Sequence, residues 1–270
     1  MKTKCTIAVF AALLSVTLNF AQRIHCPECE CRFQPAEQVY VFGNDVKLRS
    51  EPNTESKVLE LLKMGEWVEI IEMTNSSWPY NGYDSPFYKV KYDDMTGYIL
   101  GGLLSLEKKT VGGTDYFFAY SREGEKTFLN VRSMYFGRLL EKKIPLASPI
   151  INIKTYGNRG IENLDGIIFV HNYSALDDLD LGGNYIFAFE GSLTSYQLSQ
   201  TDYEDASYYS EKFVFPDEEK GIPGKIIFKK EEGLRYLDEE NKWLYTNVET
   251  WKLHWGYGQL VPNFREKPTN

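Results

Sequence analysis

The stretch VKLRSEPNTESKVLELLKMGEWVEII, residues 46–71, carries strand punctuation rather than helix signals. Pro52-Asn53 breaks the chain after VKLRS, and apolar and β-branched residues resume at Val58. Residues 63–66, Lys-Met-Gly-Glu, make a tight turn into WVEIIEM, where Val68 and Ile70 alternate imperfectly with Glu69 and Glu72. Upstream, QVYVF (38–42) is a short alternating strand that ends at Gly43-Asn44. Downstream, PFYKVKY (86–92) puts Phe87, Lys89 and Lys91 on one face and Tyr88, Val90 and Tyr92 on the other. Asp93-Asp94 then turns the chain into TGYILGGLLSL (96–106). About five short strands in this span predict a small barrel.

Around that core the composition sets bounds. A chain of 270 residues fits one or two domains. Hydrophobic residues at 43% and charged residues at 25% exclude wholesale disorder. The net charge of −8 argues against a basic nucleic-acid footprint. Aromatic residues reach 15%, and aromatics favour strands and make good contact surfaces. An all-β, exported binding or structural protein is the reading these numbers favour.

Residues 46–71 resemble the bacterial SH3-like domains, through the Val-x-Leu-Arg-Ser-x-Pro start and the Leu-x-x-Gly turn that precedes a strand. FYKVKYDDMTGYILGGLL (87–104) is similar to the family's strand, turn and Gly-Tyr/Trp-Ile/Val-x-Gly ending. The resemblance covers roughly residues 37–106, a quarter of the chain. Tyr98 stands where the family usually has tryptophan, and TNSSWPYNGYDSP (74–86) is longer and more aromatic than a typical family loop. The resemblance implies a non-catalytic module that binds cell-wall peptides, glycans or a partner protein in a groove beside its loops. In this sequence Trp78, Tyr80, Tyr83 and Tyr98 are the residues that would line it, with aromatic faces for sugars and apolar peptide parts. The alternative reading makes Trp78 a cap on the barrel's open end and the tyrosines ordinary packing. From 37 to 106, eleven carboxylates oppose six Lys and Arg, a net of −5 that disfavours polyanionic ligands.

Residues 1–21 read as a secretory signal peptide: Lys2 and Lys4 lead an apolar core, and Ala21 sits at the expected cleavage point. Loss of the two lysines takes the chain from −8 to −10. The apolar core falls short of the roughly 20 residues a spanning helix needs, so a periplasmic or secreted protein without a membrane span is expected. Residues 22–36 form an arm holding Cys26, Cys29 and Cys31. One short disulfide, from Cys26 to Cys29 or to Cys31, with one thiol left over, is the expectation in an oxidising compartment. With His25, a metal site is the alternative, although ligands this crowded suit a closed tetrahedron poorly.

Residues 108–114, KKTVGGT, are expected to be a joint before a second unit spanning 112–264. This unit reads as an antiparallel β-sandwich or open barrel of no recognised family. Hairpins are expected around Glu123-Gly124, Glu190-Gly191 and Glu232-Gly233, with PIINIKTY (149–156) and GIIFVHNY (166–173) as central strands. No cofactor motif is present, and no cysteine follows Cys31. His171 and His254 lack metal-site spacing and are expected to be sheet residues. Asp177, Asp178 and Asp180 read as a solvated turn before calcium ligands. The acids at 202–205 and 217–219 leave an envelope glycan hydrolase as the alternative to a non-enzymatic binding protein.

Overall fold

The computed structural model describes residues 24–25, 33–174, 179–203, 207–235 and 243–265. Every regular element in it is a strand apart from one 3₁₀ turn, so the all-β expectation holds. After the two-residue β1 (Ile24–His25), the barrel comprises β2 (Gln38–Tyr40), β3 (Val46–Arg49), β4 (Val58–Leu62), β5 (Trp67–Tyr80), β6 (Tyr83–Tyr92) and β7 (Met95–Leu100). The order β2-β5-β6-β7-β3-β4 wraps one core that includes Val39, Leu48, Leu62, Val68, Val90 and Ile99. Gly97 is needed where β3 crosses β7, because a Cβ there would lie 2.8 Å from the Arg49 carbonyl oxygen.

Residues 74–86 depart from the sequence reading, because they are not a loop. They form the outer half of one long hairpin, in which β5 and β6 run on past the barrel to a two-residue turn at Asn81-Gly82. Both turn residues have positive φ, +51° and +81°, the geometry that Asn-Gly supplies at low cost. Register shifts between Ile70 and Ser77 take up the extra residues of β5.

The 108–114 segment is a correction of the same kind. Its first residues form β8 (Lys108–Val111), and Gly112-Gly113 turns into β9 (Thr114–Glu123). With β10 (Lys126–Tyr135) and β11 (Arg138–Pro145) they make a four-stranded sheet in the order β11-β10-β9-β8. The connection from the barrel is pinned on both sides. Ser105 N donates to the Tyr40 carbonyl at 2.7 Å, and Leu106 N donates to the Phe118 carbonyl at 2.8 Å. Phe42, Phe117 and Ala119 add a small buried cluster between barrel and sheet, with Tyr40 and Met64 packed against it.

The rest is an antiparallel meander: β12 (Ile150–Tyr156), β13 (Gly166–Tyr173), β14 (Asp180–Phe189), β15 (Ser192–Tyr203), β16 (Ser207–Val214), β17 (Ile226–Arg235), β18 (Trp243–Gly256) and β19 (Gln259–Val261). Each strand pairs with the next, and β1 adds to the β12 edge. Alternation sends Ile153, Val170 and Ile186 toward Phe118, Leu129 and Val131 of the four-stranded sheet, which gives a sandwich. Ile167 and Phe187 point the other way and share a second core with Phe213, Phe228, Leu253 and Leu260. For β13 and β19 to share that core the sheet must curl, so sandwich and open-barrel features coexist. The Glu123-Gly124 and Glu190-Gly191 hairpins form as expected, but Glu232-Gly233 lies inside β17. Gly233 serves packing there: a Cβ would sit 2.2 Å from the Tyr208 ring on the paired strand.

Candidate functional site

The long β5–β6 hairpin leans on the second unit. Arg122 N of β9 donates to the Asn81 carbonyl at 2.8 Å, so the hairpin tip is tied by backbone to that sheet. Gly82 makes this approach possible, because any Cβ would fall 2.3 Å from the Arg122 carbonyl oxygen. Beside the tip lies a groove of about 140 Å³ bordered by Tyr80, Tyr83, Asp84 and Tyr88 from the barrel and Tyr120 from β9. Phe33 closes one side, in edge contact with Tyr88 at 5.4 Å. Gly101 and Gly102 form part of the wall, and both are bare for a reason. A Cβ on Gly102 would lie 2.6 Å from the Tyr80 ring, and one on Gly101 2.8 Å from the Tyr88 ring. A cavity near 150 Å³ holds one six-membered ring, so this groove accepts a single ring or a short aliphatic group.

The four residues singled out from the sequence separate here. Tyr80 and Tyr83 line the groove together. Tyr83 is half-buried: its ring meets Tyr120 edge-on at 6.5 Å, and its hydroxyl donates to Thr127 Oγ1 at 3.3 Å. The Arg122 guanidinium lies 4.7 Å from the same ring, a cation–aromatic contact that fixes it further. Tyr83 is therefore a junction residue as much as a groove residue. Trp78 is half exposed and lies outside the groove, on the same hairpin. Tyr98, on β7, pairs with Lys89 of β6 and Arg49 of β3, and Lys89 is four residues along β6 from Ser85, the partner of Trp78. That separation is about 13 Å at strand rise, so Tyr98 does not join the set.

Asp84 and Tyr120 were not found by sequence reasoning. Tyr120 comes from another sheet, which no local pattern reveals. Asp84 is exposed at the groove edge and supplies its one carboxylate among the lining residues described.

Cys26, Cys29 and Cys31 lie outside the described residues. Of the candidate metal ligands in that run, His25 is described, and it is committed elsewhere. It is almost fully buried, with Nε2 3.3 Å from Glu107 Oε1. Burial by itself would raise the Glu107 carboxyl, but the His25 imidazole and the Lys109 ammonium, which lies 2.9 Å from Oε2, outweigh that and hold it below the usual carboxylate value. This pairing ties the N-terminal arm to the connection beneath the groove. Among the described residues no group of three or more His, Cys, Asp or Glu side chains could hold a metal ion.

His171, Asp180, Asp217 and Glu218, among the other sequence candidates, are held by neighbouring side chains. His171 on β13 stacks with Phe169 at 5.2 Å, and its Nε2 lies 2.7 Å from Asp180 Oδ1. His254 sits on the separate strand β18. Asp217 and Glu218 both reach Arg159, at 3.2 and 2.6 Å, so these two carboxylates are engaged in ion pairs. Asp177, Asp178, Glu204, Asp205 and the side chain of Asp202 lie outside the described residues.

Residues 44–105 match the family model described as a bacterial SH3 domain. The C-terminal part has no family match. No curated protein and no solved structure matches the chain. Among the described residues no helix is long and apolar enough to cross a membrane. The barrel that carries the aromatic hairpin is that of a bacterial SH3 domain, which points to a binding or cell-wall-associated role.

Proposed function

We propose that the protein is exported, acts without catalysis, and uses its SH3-like barrel to bind cell-envelope material, with peptidoglycan as the first candidate. The observation that carries this reading is the groove at Tyr80, Tyr83 and Tyr120, roofed by a hairpin that presents Trp78 to solvent. Rings on a rigid hairpin cost little entropy to organise, and their faces suit sugars and apolar peptide parts. A net −5 barrel favours neutral or amine-bearing wall fragments over polyanions. The signal-like residues 1–21 support a periplasmic or released location. Asp217 and Glu218, held by Arg159, favour binding over glycan hydrolysis.

The test is co-sedimentation with purified peptidoglycan sacculi. The parent should pellet with the sacculi. Trp78→Ala and Asp84→Asn should each weaken that binding several-fold, at a melting temperature within about 2 °C of the parent because both positions are exposed. A parent that stays in the supernatant sinks the peptidoglycan assignment. Two folded variants that bind like the parent would make the barrel a spacer. Tyr83→Ala is unsuited to this comparison, since it breaks the contacts to Thr127 and Tyr120.

A further inference from the structure

Over most of its length β18 is an edge of the nine-stranded sheet. Residues 243–253 pair with β17 on one side, and β19 joins the other side only at His254, Trp255 and Gly256. Among the described residues no strand or loop bonds to that other side of 243–253. Open edges this long are normally guarded by charge or proline. β11, at the edge of the four-stranded sheet, follows that rule with Arg138, Glu141, Lys142, Lys143 and Pro145 in 8 residues. The open span of β18 has only Glu249 and Lys252 as charges and contains no proline. It also shows apolar side chains to solvent. Tyr245 and Val248 are 52% and 51% exposed, and Leu234, directly paired with Tyr245, is 52% exposed.

The sequence of this edge is close to symmetric about Val248. Reading outward in both directions gives Asn247 and Glu249, then Thr246 and Thr250, then Tyr245 and Trp251. The open span has the same midpoint, because Val248 is equally far from Trp243 and from Leu253. Two copies of one strand related by a two-fold axis normal to the sheet run antiparallel and keep their faces. An axis at Val248 sets each residue beside the one equally far from Val248 in the other copy. Tyr245 then meets Trp251 and Asn247 meets Glu249 on one face, while Thr246 meets Thr250 and Val248 meets its own copy on the other. Aromatic, Thr–Thr and β-branched pairs of this kind stabilise antiparallel ladders. Moving the axis to Glu249 would instead oppose two like charges. Lys230 lies 3.6 Å from Glu249, so each carboxylate brought near the axis has a cation beside it. The span also ends where it must. Val261 of β19 sits opposite His254, one residue beyond Leu253, so a strand that begins at Trp243 fits without displacing β19.

We infer that this edge is a homodimer interface, in which β18 of a second copy adds antiparallel to β18 across a two-fold axis at Val248. A second copy is the occupant because the edge is complementary to itself, and a two-fold contact presents the same patch on both sides. A strand from an unrelated protein would pair through the same backbone groups but would need no symmetry in the edge it meets.

Sedimentation equilibrium of the full chain tests this, with parent and variants sharing the same N-terminal residues. The parent should be dimeric at about 100 μM, a concentration at which an interface of micromolar Kd is largely occupied. Val248→Lys and Val248→Glu should each be monomeric there, since each sets like charges face to face at the axis. Both should keep the parent's circular dichroism, because position 248 is exposed. An equimolar mixture of the two variants should be dimeric again, because opposite charges then meet. Leu61→Lys, on the exposed edge strand β4 of the barrel, should dimerise like the parent. A parent that stays monomeric overturns the inference, as does one that grows into open-ended oligomers. Position-248 variants that dimerise like the parent, or a Leu61→Lys variant that does not, would place the contact elsewhere. A mixture that stays monomeric would remove the axis from Val248. Each of these results also overturns the inference.

Discussion

Phe187→Ala is expected to destabilise the C-terminal unit by about 4 kcal/mol, the usual cost of emptying a large aromatic site in a core. Phe187 is wholly buried on β14. It stacks on Trp255 of β18 at 5.1 Å and 12°, and meets Tyr196 of β15 and Phe213 of β16 edge-on at 5.7 and 6.2 Å. Rings from three other strands converge on this one, so the void would open at the centre of the curl and could not be filled by one neighbour's movement. For a unit of this size, that loss lowers the melting temperature by roughly 8–16 °C. The barrel has its own core and reaches the second unit mainly through Phe42, Phe117, Ala119 and the hairpin tip. Calorimetry should therefore show one transition falling steeply while a barrel transition shifts by only about 2 °C. A single transition that moves as a whole would mean that the barrel has no stability of its own.

The barrel was legible because its signals are local. The Pro52-Asn53 break, the 63–66 turn and the alternation in 86–92 each lie within one strand or turn, and each survives in the structure. Asn81-Gly82 was equally local and was overlooked. Pro79 and Pro86 flank it, and proline within a run usually demotes a strand to a loop. Here β5 pairs with β2 only at residues 67–69, so its outer part is a sheet edge. The bulge between Met73 and Ser77 adapts the register just before Pro86.

The second unit was legible only as strands. Its Glu-Gly pairs looked like repeated hairpin turns, but two different demands put glycine in them. Gly191 has positive φ in a true turn, whereas Gly233 makes room for the Tyr208 ring within a ladder. Sequence alone does not separate these, because the ring that excludes a Cβ lies on another strand. The groove was hidden for the same reason. Tyr80 and Tyr83 share a hairpin, but the wall at Tyr120 and the brace at Arg122 are contributed by β9.

Arg265→Ala is expected to cost about 3 kcal/mol at neutral pH, by leaving a buried carboxylate without its cation. Glu211 on β16 is almost fully buried, and Arg265 grips it at both oxygens, at 2.5 and 3.1 Å. Ser199 N and the Tyr209 hydroxyl donate to the same carboxylate at 3.0 and 2.8 Å. Burial alone would raise the Glu211 carboxyl, but Arg265 and these donors hold it below the ordinary value of 4.5. The Tyr209 phenol is pushed up to about 12 by burial and by its bond to that carboxylate. A group whose folded pKa is depressed stabilises the fold above its unfolded pKa, and that stabilisation is lost as pH falls through the folded value. The parent should therefore lose this contribution only in acid, as pH falls past the ordinary carboxylate range and through the depressed folded value. In Arg265→Ala the carboxylate keeps its burial and loses the guanidinium, so its pKa rises and acid relieves the penalty. Chemical denaturation at pH 7 and at pH 3.5 should show a gap between parent and variant that narrows on acidification. The same guanidinium lies 4.9 Å from the Phe264 ring, which packs on Phe228 at 4.3 Å in the curled core. Glu211→Gln, which keeps the hydrogen-bonding shape and removes the charge, should cost less than Arg265→Ala. If the gap is unchanged or wider in acid, the pair contributes by packing alone and its electrostatic assignment fails.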